Sequence, residues 1–329
     1  MSVVTNSQII CMLLKQHKVR HVVINPGATN IQLAQLIQRD PFFTCYSVVD
    51  ERSAMYFAIG LYLELGLPIA TTCTSAQATR NYIPGLTEAY YKHVPILAIT
   101  ASKLPAYKYQ EYMQQPDQTS LPKDAVKRSY PLPFVCTKTD ELMCERMVNE
   151  AILELTHRTA GPVQLNMPVD DEVIRAVVDA SPPEVKTIHR FFSHEDWHLS
   201  LNEKKILLVI GEHRPFSKEE TTAIENFAES NNVAIYVNHL SNYHGKYTLH
   251  GNLALTVLQK ELFLQHYKPD ILVTLEGQTG DYPLFNCLSL GDKFAYEHWR
   301  ISAEGSIADT YNKLTKVFEC RPEAFFKRF

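Results

Sequence analysis

Short apolar runs alternate with longer, helically spaced segments through the first 170 residues. The runs predict buried strands, and the apolar recurrence at every third or fourth position predicts helices. Thr5 and Gln8 have the spacing of a capping box, so the first helix should start there. The predicted strands cover 21–25, 43–49, 68–72, 94–100 and 163–167, and the later predicted helices cover 31–39, 53–65, 81–91 and 140–157.

Strand and helix alternate again after a linker-like stretch at 180–184. This pattern favours an α/β fold with two doubly wound domains, each a mainly parallel sheet covered by helices on both faces. We expect a first domain at 1–180, a linker at 181–194 and a second, Rossmann-like domain at 195–329. A polar segment at 103–133 interrupts the first domain, and a loop of that length is usually functional or mobile.

Composition and charge narrow the range of functions. Of the 329 residues, 45% are hydrophobic and 21% charged, which is ordinary for a globular chain long enough for two cores. The net charge is −4, and the basic residues are spread along the chain rather than clustered. Nucleic acid is therefore not an expected partner. The seven cysteines are scattered and odd in number, which favours reduced thiols, and no apolar run is long enough to span a membrane. We therefore expect a cytoplasmic protein.

Asp50 and Glu51 stand where a predicted strand gives way to a helix. Ligand sites gather at such carboxyl ends in parallel sheets. Acids are also favoured at helix N-termini by the helix dipole, so this pair has a purely structural interpretation as well.

Three further segments bear on that choice. Asn25-Pro-Gly-Ala-Thr-Asn30 follows the first strand, Thr74-Ser-Ala-Gln-Ala-Thr-Arg-Asn81 follows the third, and Gly161-Pro-Val-Gln-Leu-Asn-Met-Pro168 contains the last. In this order and spacing, residues 1–175 resemble the pyrimidine-binding domain of thiamine-diphosphate-dependent enzymes of the pyruvate decarboxylase and acetohydroxyacid synthase superfamily.

The resemblance implies roles for individual residues. Glu51 would contact N1′ of the cofactor's aminopyrimidine and act as a general acid/base. The remaining cofactor-binding candidates are Pro26, Gly27, Thr74, Ser75 and Asn81. The candidates for substrate or loop contacts are Ala28, Thr29, Asn30, Arg80 and Gln118. Thr29 and Asn30 have a second interpretation as helix caps, and Gln118 as part of a solvated loop.

Among individual families, Asp50-Glu51-Arg52 and the run 82–101 are most similar to the succinyl-enolpyruvyl-cyclohexene-carboxylate synthases of menaquinone synthesis. That family carries Ser-Arg after its Pro-Gly, with the arginine serving an acidic substrate, whereas this chain has Ala28-Thr29. Its Thr-Ser-Gly turn is Thr74-Ser75-Ala76 here. The substrate is therefore expected only at the level of a 2-oxo acid.

The superfamily binds the cofactor's diphosphate through Mg²⁺ on a separate domain that carries a Gly-Asp-Gly motif. This sequence has no Gly-Asp-Gly; its two Gly-Asp pairs, at 280–281 and 291–292, are interpreted as turns. We therefore expect the chain to be an N-terminal part or a subunit, completed by a C-terminal diphosphate-binding domain or subunit. An exposed apolar face should mark where that domain docks, and a homo-oligomer is expected by resemblance.

Residues 195–329 resemble the superfamily's middle domain, which is structural in most members and holds a nucleotide or FAD in a few. Gly211-Glu-His-Arg-Pro215 lacks a glycine-rich dinucleotide fingerprint, so a scaffold role is favoured over a nucleotide-dependent enzyme. The histidines have no metal-ligand spacing, and no metal site is expected. The alternative to the enzyme is a non-catalytic binding or regulatory module built on two Rossmann-like sheets.

Overall fold

The computed structural model describes residues 4–170, 182–258, 260–275 and 277–329. The chain divides after Thr187 into two compact units. The expected domain end at 180 and linker start at 181 lie outside the described residues. Within the expected linker, His189–Phe192 form a strand (β7) of the second unit's sheet.

The first unit is built on a parallel sheet of six strands in the order β2-β1-β3-β4-β6-β5. The chain leaves the central strand β1 for β2 on one side and then crosses to β3 on the other. The strands are β1 His21–Ile24, β2 Thr44–Ser47, β3 Ile69–Cys73, β4 Ile96–Lys103, β5 Ser129–Pro131 and β6 Val163–Val169.

Helices cover both faces of this sheet, as the sequence pattern predicts. One core lies under α1, α2 and α5, and the other under α3 and α4. The predicted capping box of α1 is present, with Thr5 and Gln8 exchanging hydrogen bonds. The helices are α1 Asn6–Gln16, α2 Ile31–Arg39, α3 Glu51–Leu65, α4 Gln77–Tyr91 and α5 Lys138–Glu154.

The segment 103–133 is not a continuous loop. β4 extends to Lys103, and Ser129–Pro131 form the edge strand β5. Proline lacks a backbone N–H and is therefore confined to edge strands and strand ends. A proline in a short segment also argues against a strand, so β5 is hard to recognise from sequence. Between these strands, Pro105–Tyr107 form a short 3-10 helix, and Gln118 is buried and donates to the Ala101 carbonyl of β4.

The second unit contains a parallel sheet of seven strands in the order β10-β9-β8-β11-β12-β13-β7. It is also doubly wound, because β9 and β11 flank β8 on opposite sides. The strands after β7 are β8 Ile206–Ile210, β9 Val233–Tyr236, β10 Thr248–Leu249, β11 Ile271–Leu275, β12 Glu297–Ile301 and β13 Leu314–Glu319. The helices are α6 Lys218–Ser230, α7 Asn252–Val257, α8 Lys260–Leu262, α9 Tyr282–Leu288 and α10 Pro322–Phe326.

The fold class predicted from the sequence is confirmed by these two parallel, helix-covered sheets. Among the described residues, no helix is both long enough and apolar enough to cross a membrane.

Candidate functional site at the carboxyl edge of the first sheet

Three chain segments meet where strands β1, β2 and β3 end. The parallel register places Ile24 beside Ser47 of β2 and Thr72 of β3, so all three strands leave the sheet at one edge. The successive strands β2 and β3 flank β1 on opposite sides. This edge is therefore a topological switch point, where open α/β sheets bind ligands. The residues singled out from the sequence therefore lie on three adjacent exits.

Asp50 and Glu51 have different roles at the start of α3. Asp50 is the N-cap, and its carboxylate accepts a 2.7 Å hydrogen bond from the Ser53 amide. That bond lowers the pKa of Asp50, which is solvent-exposed. The structural interpretation of the acid pair therefore applies to Asp50, whereas Glu51 begins the helix half-buried.

Glu51 is held by α4. The side-chain amide of Asn81 donates to Glu51 Oε2 at 3.2 Å. Two neighbours, Cys73 and Tyr82, are buried, and burial raises the pKa of the Cys73 thiol to about 12 and the pKa of Tyr82 well above its ordinary value. Both side chains are therefore uncharged at neutral pH, and Glu51 has uncharged groups on that side.

The Pro-Gly turn after β1 packs directly against the turn after β3. A Cβ on Gly27 would lie 2.4 Å from Cβ of Thr74, so only glycine fits there. Thr29 Oγ1 lies 2.6 Å from Thr74 Oγ1 and accepts a 3.0 Å hydrogen bond from the Ser75 amide. These contacts lock the two exits together at the switch point.

The turn after β3 has a strained backbone at its tip. Ala76 has φ 65° and ψ −120°, a conformation that favours glycine. Its amide donates to Gln118 Oε1 at 3.0 Å, and Gln118 Nε2 donates to the Ala101 carbonyl at 2.7 Å and to Asn166 Oδ1 at 3.2 Å. Gln118 thus fixes the turn to β4 and β6.

The alternative interpretations of three residues do not agree with their contacts. Asn30 is the N-cap of α2 but makes no side-chain capping bond; its amide donates to the Asn25 carbonyl and to Thr72 Oγ1. The Thr29 hydroxyl accepts a hydrogen bond from the Ser75 amide after β3 and does not cap α2. Gln118 is buried, so it is not part of a solvated loop. In each case a tertiary contact outcompetes the local interaction.

The other candidates lie at the rim. Pro26, Ala28 and Arg80 are exposed, and the Arg80 guanidinium donates to the Asp117 carbonyl at 2.7 Å. α4 begins at Gln77, four residues before its predicted start, so Arg80 and Asn81 belong to its first turns. The helix geometry, rather than the turn, directs Asn81 to Glu51.

Asn25 and Tyr82 form a link that the sequence reasoning missed. The Tyr82 hydroxyl donates to Asn25 Oδ1 at 2.7 Å, and the Asn25 amide donates to the Val48 carbonyl, three residues before Glu51. Both side chains are buried. A carboxamide at the end of an apolar strand is the signal that could have identified Asn25, because a buried amide needs partners.

Comparison with known families agrees with this geometry. Residues 4–121 match the family described as "Thiamine pyrophosphate enzyme, N-terminal TPP binding domain". The match includes the exits of β1, β2 and β3, and therefore Gly27, Glu51, Thr74 and Asn81.

Curated relatives extend the similarity over both units. The chain is 33% identical over 324 residues to a 2-succinyl-5-enolpyruvyl-6-hydroxy-3-cyclohexene-1-carboxylate synthase of Bacteroides thetaiotaomicron, and 34% identical over 329 residues to that of Phocaeicola vulgatus. A Flavobacterium johnsoniae synthase is 26% identical over 332 residues. The alignments cover 96%, 96% and 98% of this chain but 58% of each relative. The chain thus spans just over half the length of these relatives.

Proposed function

We propose that this chain supplies the aminopyrimidine-binding part of a thiamine-diphosphate-dependent site that acts on a 2-oxo acid, by decarboxylation or carboligation. The observation that carries the proposal is the half-buried Glu51 carboxylate, held by Asn81 at the switch point of a thiamine pyrophosphate enzyme domain.

The residues at this edge fit an aminopyrimidine. Glu51 would hold a proton shared with N1′ of that ring, as a general acid/base must. Ser75 Oγ is buried and has no hydrogen-bond partner among the described residues, so a polar group is available beside the Gly27–Thr74 contact. When bound, the cofactor supplies a nucleophilic carbon that adds to the carbonyl of a 2-oxo acid.

The side chains around Glu51 serve to position it and to exclude water. Asn81 fixes one carboxylate oxygen, while Asn25 and Tyr82 hold the backbone that leads into α3. Cys73 and Tyr82 are buried beside it and keep water from that side of the carboxylate.

The diphosphate and Mg²⁺ require ligands from outside residues 1–329 under this proposal. The glycines of the two Gly-Asp pairs, Gly280 and Gly291, both adopt the left-handed conformation of a turn. Asp281 is the N-cap of α9, and its side chain accepts a hydrogen bond from the Leu284 amide. No cluster of three metal-ligating side chains occurs in the described ranges. Oxygen ligands for Mg²⁺ would come from a diphosphate-binding domain, either continuous with this chain or separate.

The surface of α3 next to Glu51 offers a place for that domain. Tyr56 and Leu63 lie seven residues apart on one side of the helix, and both are exposed, Leu63 by 70%. Val49, immediately before the acid pair, is 79% exposed. Apolar side chains clustered beside a site are typical of a protein contact.

The names of the relatives make the synthase reaction a candidate, but this chain differs from the resembling synthases after its Pro-Gly turn. Thr29, at the position where the resembling synthases carry arginine, is buried and hydrogen-bonded to the β3 turn. Arg80, whose guanidinium donates to the Asp117 carbonyl, is an exposed cation at this rim. We therefore propose a 2-oxo acid substrate without assigning the acceptor. A homo-oligomeric state and a cytoplasmic location remain predictions.

Substitution of Glu51 tests the proposed function. In the complete polypeptide or complex that carries this chain, Glu51→Gln should lower kcat for 2-oxo acid decarboxylation by about 10²–10⁴-fold, the range of general acid/base catalysis. Glu203→Gln, at an exposed carboxylate of the second unit, is the control and should leave kcat unchanged. Full activity in Glu51→Gln would contradict the role of Glu51, and no decarboxylation by the parent would favour the non-catalytic binding module.

A further inference from the structure

Arg80 is a cation at the carboxyl edge of the first sheet, next in sequence to the amide that holds Glu51. It is the fourth residue of α4, and Asn81, which donates to Glu51, follows it. Helical side chains lean towards the N-terminus of their helix, so the Arg80 side chain extends towards the turn after β3. Its guanidinium accordingly reaches the backbone carbonyl of Asp117, the residue before Gln118.

The charge of Arg80 is not neutralised by the residue that it contacts. Its bond of 2.7 Å goes to the Asp117 carbonyl, not to the carboxylate. The Asp117 carboxylate accepts from the Thr119 hydroxyl at 2.6 Å and from Lys108 Nζ at 2.9 Å, and these bonds hold the pKa of Asp117 well below its usual range. Among the described residues, which include the whole of 74–121, Arg80 forms no ion pair.

The start of α4 is a favourable place for an anion. The first turn of a helix carries partial positive charge, which opposes a cation such as Arg80 and attracts an anion. α4 has no acidic residue in its first turn and no side-chain cap, and the amides of Gln77, Ala78 and Thr79 have no acceptor among the described residues. A bound anion would therefore compensate both the guanidinium and the helix end.

The turn before α4 fixes Arg80 at the strand exits. The Arg80 amide donates to the Ala76 carbonyl at 3.4 Å, and the Ala76 amide donates to Gln118 Oε1 at 3.0 Å. Ser75 Oγ, in the same turn, is buried without a hydrogen-bond partner among the described residues, so the turn can still bind a polar group of a ligand. A guanidinium tethered through one N–H keeps its other donors for a carboxylate, which its planar fork matches.

We propose that Arg80 is a specificity-determining residue that binds a second carboxylate of the substrate, one that the reaction leaves intact. The proposal rests on the proposed function at Glu51. Glu51 is half-buried at the exit of β2, whereas Arg80 is exposed at the rim. The reacting end of a 2-oxo acid belongs beside Glu51, so the rim cation meets its far end.

Kinetics with two substrates separates recognition by Arg80 from catalysis. 2-Oxoglutarate and 2-oxopentanoate have chains of equal length and differ in the terminal carboxylate. In the complete polypeptide or complex that carries this chain, Arg80→Gln should lower kcat/KM for 2-oxoglutarate about 10- to 100-fold, mainly through KM, because a charge-assisted hydrogen bond is lost. The value for 2-oxopentanoate should change less than about twofold, whereas a purely structural role would lower both values alike.

Two further variants serve as controls. Arg39→Gln, at an exposed arginine in the last turn of α2, lies at the end of that helix remote from the strand exits and should leave both substrates unchanged. Arg80→Lys keeps the charge but loses the planar fork, so it should restore part of the preference for 2-oxoglutarate.

Binding of unreactive acids tests Arg80 without turnover. In the assembled protein, saturation-transfer NMR and titration calorimetry compare glutarate with pentanoate. The parent should bind glutarate at least about tenfold more tightly, and Arg80→Gln should lose this difference.

An equal loss of kcat/KM for both 2-oxo acids in Arg80→Gln, an unchanged ratio of the two values, or equal binding of glutarate and pentanoate by the parent would each overturn the role of Arg80. A parent that decarboxylates neither acid but prefers glutarate, with the preference lost in Arg80→Gln, would contradict the proposed function at Glu51 and support carboxylate binding by Arg80.

Discussion

At the residue scale, the candidate site depends on a few side chains whose contacts are mostly tertiary. Glu51 could be singled out from the sequence because a strand-to-helix junction carries an acid there. Asn81 was identified by resemblance, but its contact with Glu51 follows from α4 starting at Gln77. Asn25 and Gln118 act through buried bonds to distant backbone groups, and no local pattern encodes those bonds.

Ala76 gives a direct test of backbone strain. The positive φ of Ala76 costs an alanine about 1–3 kcal/mol in the folded state. Glycine avoids this cost, and its greater conformational entropy in the unfolded chain offsets only part of the gain. Ala76→Gly should therefore stabilise the first unit by about 1 kcal/mol and raise its Tm, measured by calorimetry. A lower Tm would contradict the assignment of strain.

Gly66 provides the matched reverse substitution. It ends α3 at φ 66°, and a Cβ there would meet no atom within 4 Å, so Gly66→Ala changes only the backbone preference. We expect Gly66→Ala to destabilise the first unit by about 1 kcal/mol.

At the element scale, apolar runs and long periodic segments were predictable, and strands rich in polar residues were not. β7, β10, β12 and β13 of the second unit were missed. β12 reads Glu-His-Trp-Arg-Ile and β13 reads Leu-Thr-Lys-Val-Phe-Glu, so polar residues hide the apolar run. Such strands form because neighbouring strands pair with them, and strand preference depends strongly on that context. The edge strand β5 was missed because it is short and ends in a proline.

The start of α6 makes a pH-dependent contribution to stability. Glu220 caps the helix with Ser217 and pairs with Arg214, and the bond to Arg214 lowers the pKa of Glu220 to about 2 from 4.5. A depressed folded-state pKa stabilises the fold above the unfolded value, so this contribution should be lost as pH falls from about 4.5 towards 2.

Glu220→Gln should therefore reduce the difference in unfolding free energy of the second unit between pH 6 and pH 3, measured by urea titration. Asn226→Gln, at an exposed position of the same helix, changes no titratable group and should leave that difference unchanged. An identical pH dependence in Glu220→Gln and the parent would refute the role of the capping carboxylate.

At the scale of the whole molecule, each unit carries its cavity or site at the switch point of its own sheet. The sequence predicted this architecture because alternating elements leave few alternatives to a parallel sheet. It could not predict the second unit's cavity, which is lined by Gly211, Leu275 and Arg300 among others, because these residues lie on or after strands that are far apart in the sequence.

The exposed side of α3 should carry the contact with a diphosphate-binding domain. Replacing Tyr56 and Leu63 together with lysine should weaken assembly with that domain at least about tenfold, because a buried apolar anchor becomes charged. Leu253→Lys, at an 82% exposed position on α7, is the control. Equal sedimentation of the double variant and the parent at several dilutions would exclude this surface.

The central claim is that Glu51 activates thiamine diphosphate, and proton exchange at C2 of the bound cofactor measures that activation before any substrate is added. In the assembled protein, acid-quenched NMR should show rapid exchange with the parent chain. Glu51→Gln should slow the exchange by about 10²-fold or more. Equally rapid exchange in Glu51→Gln, with the cofactor still bound, would contradict the account.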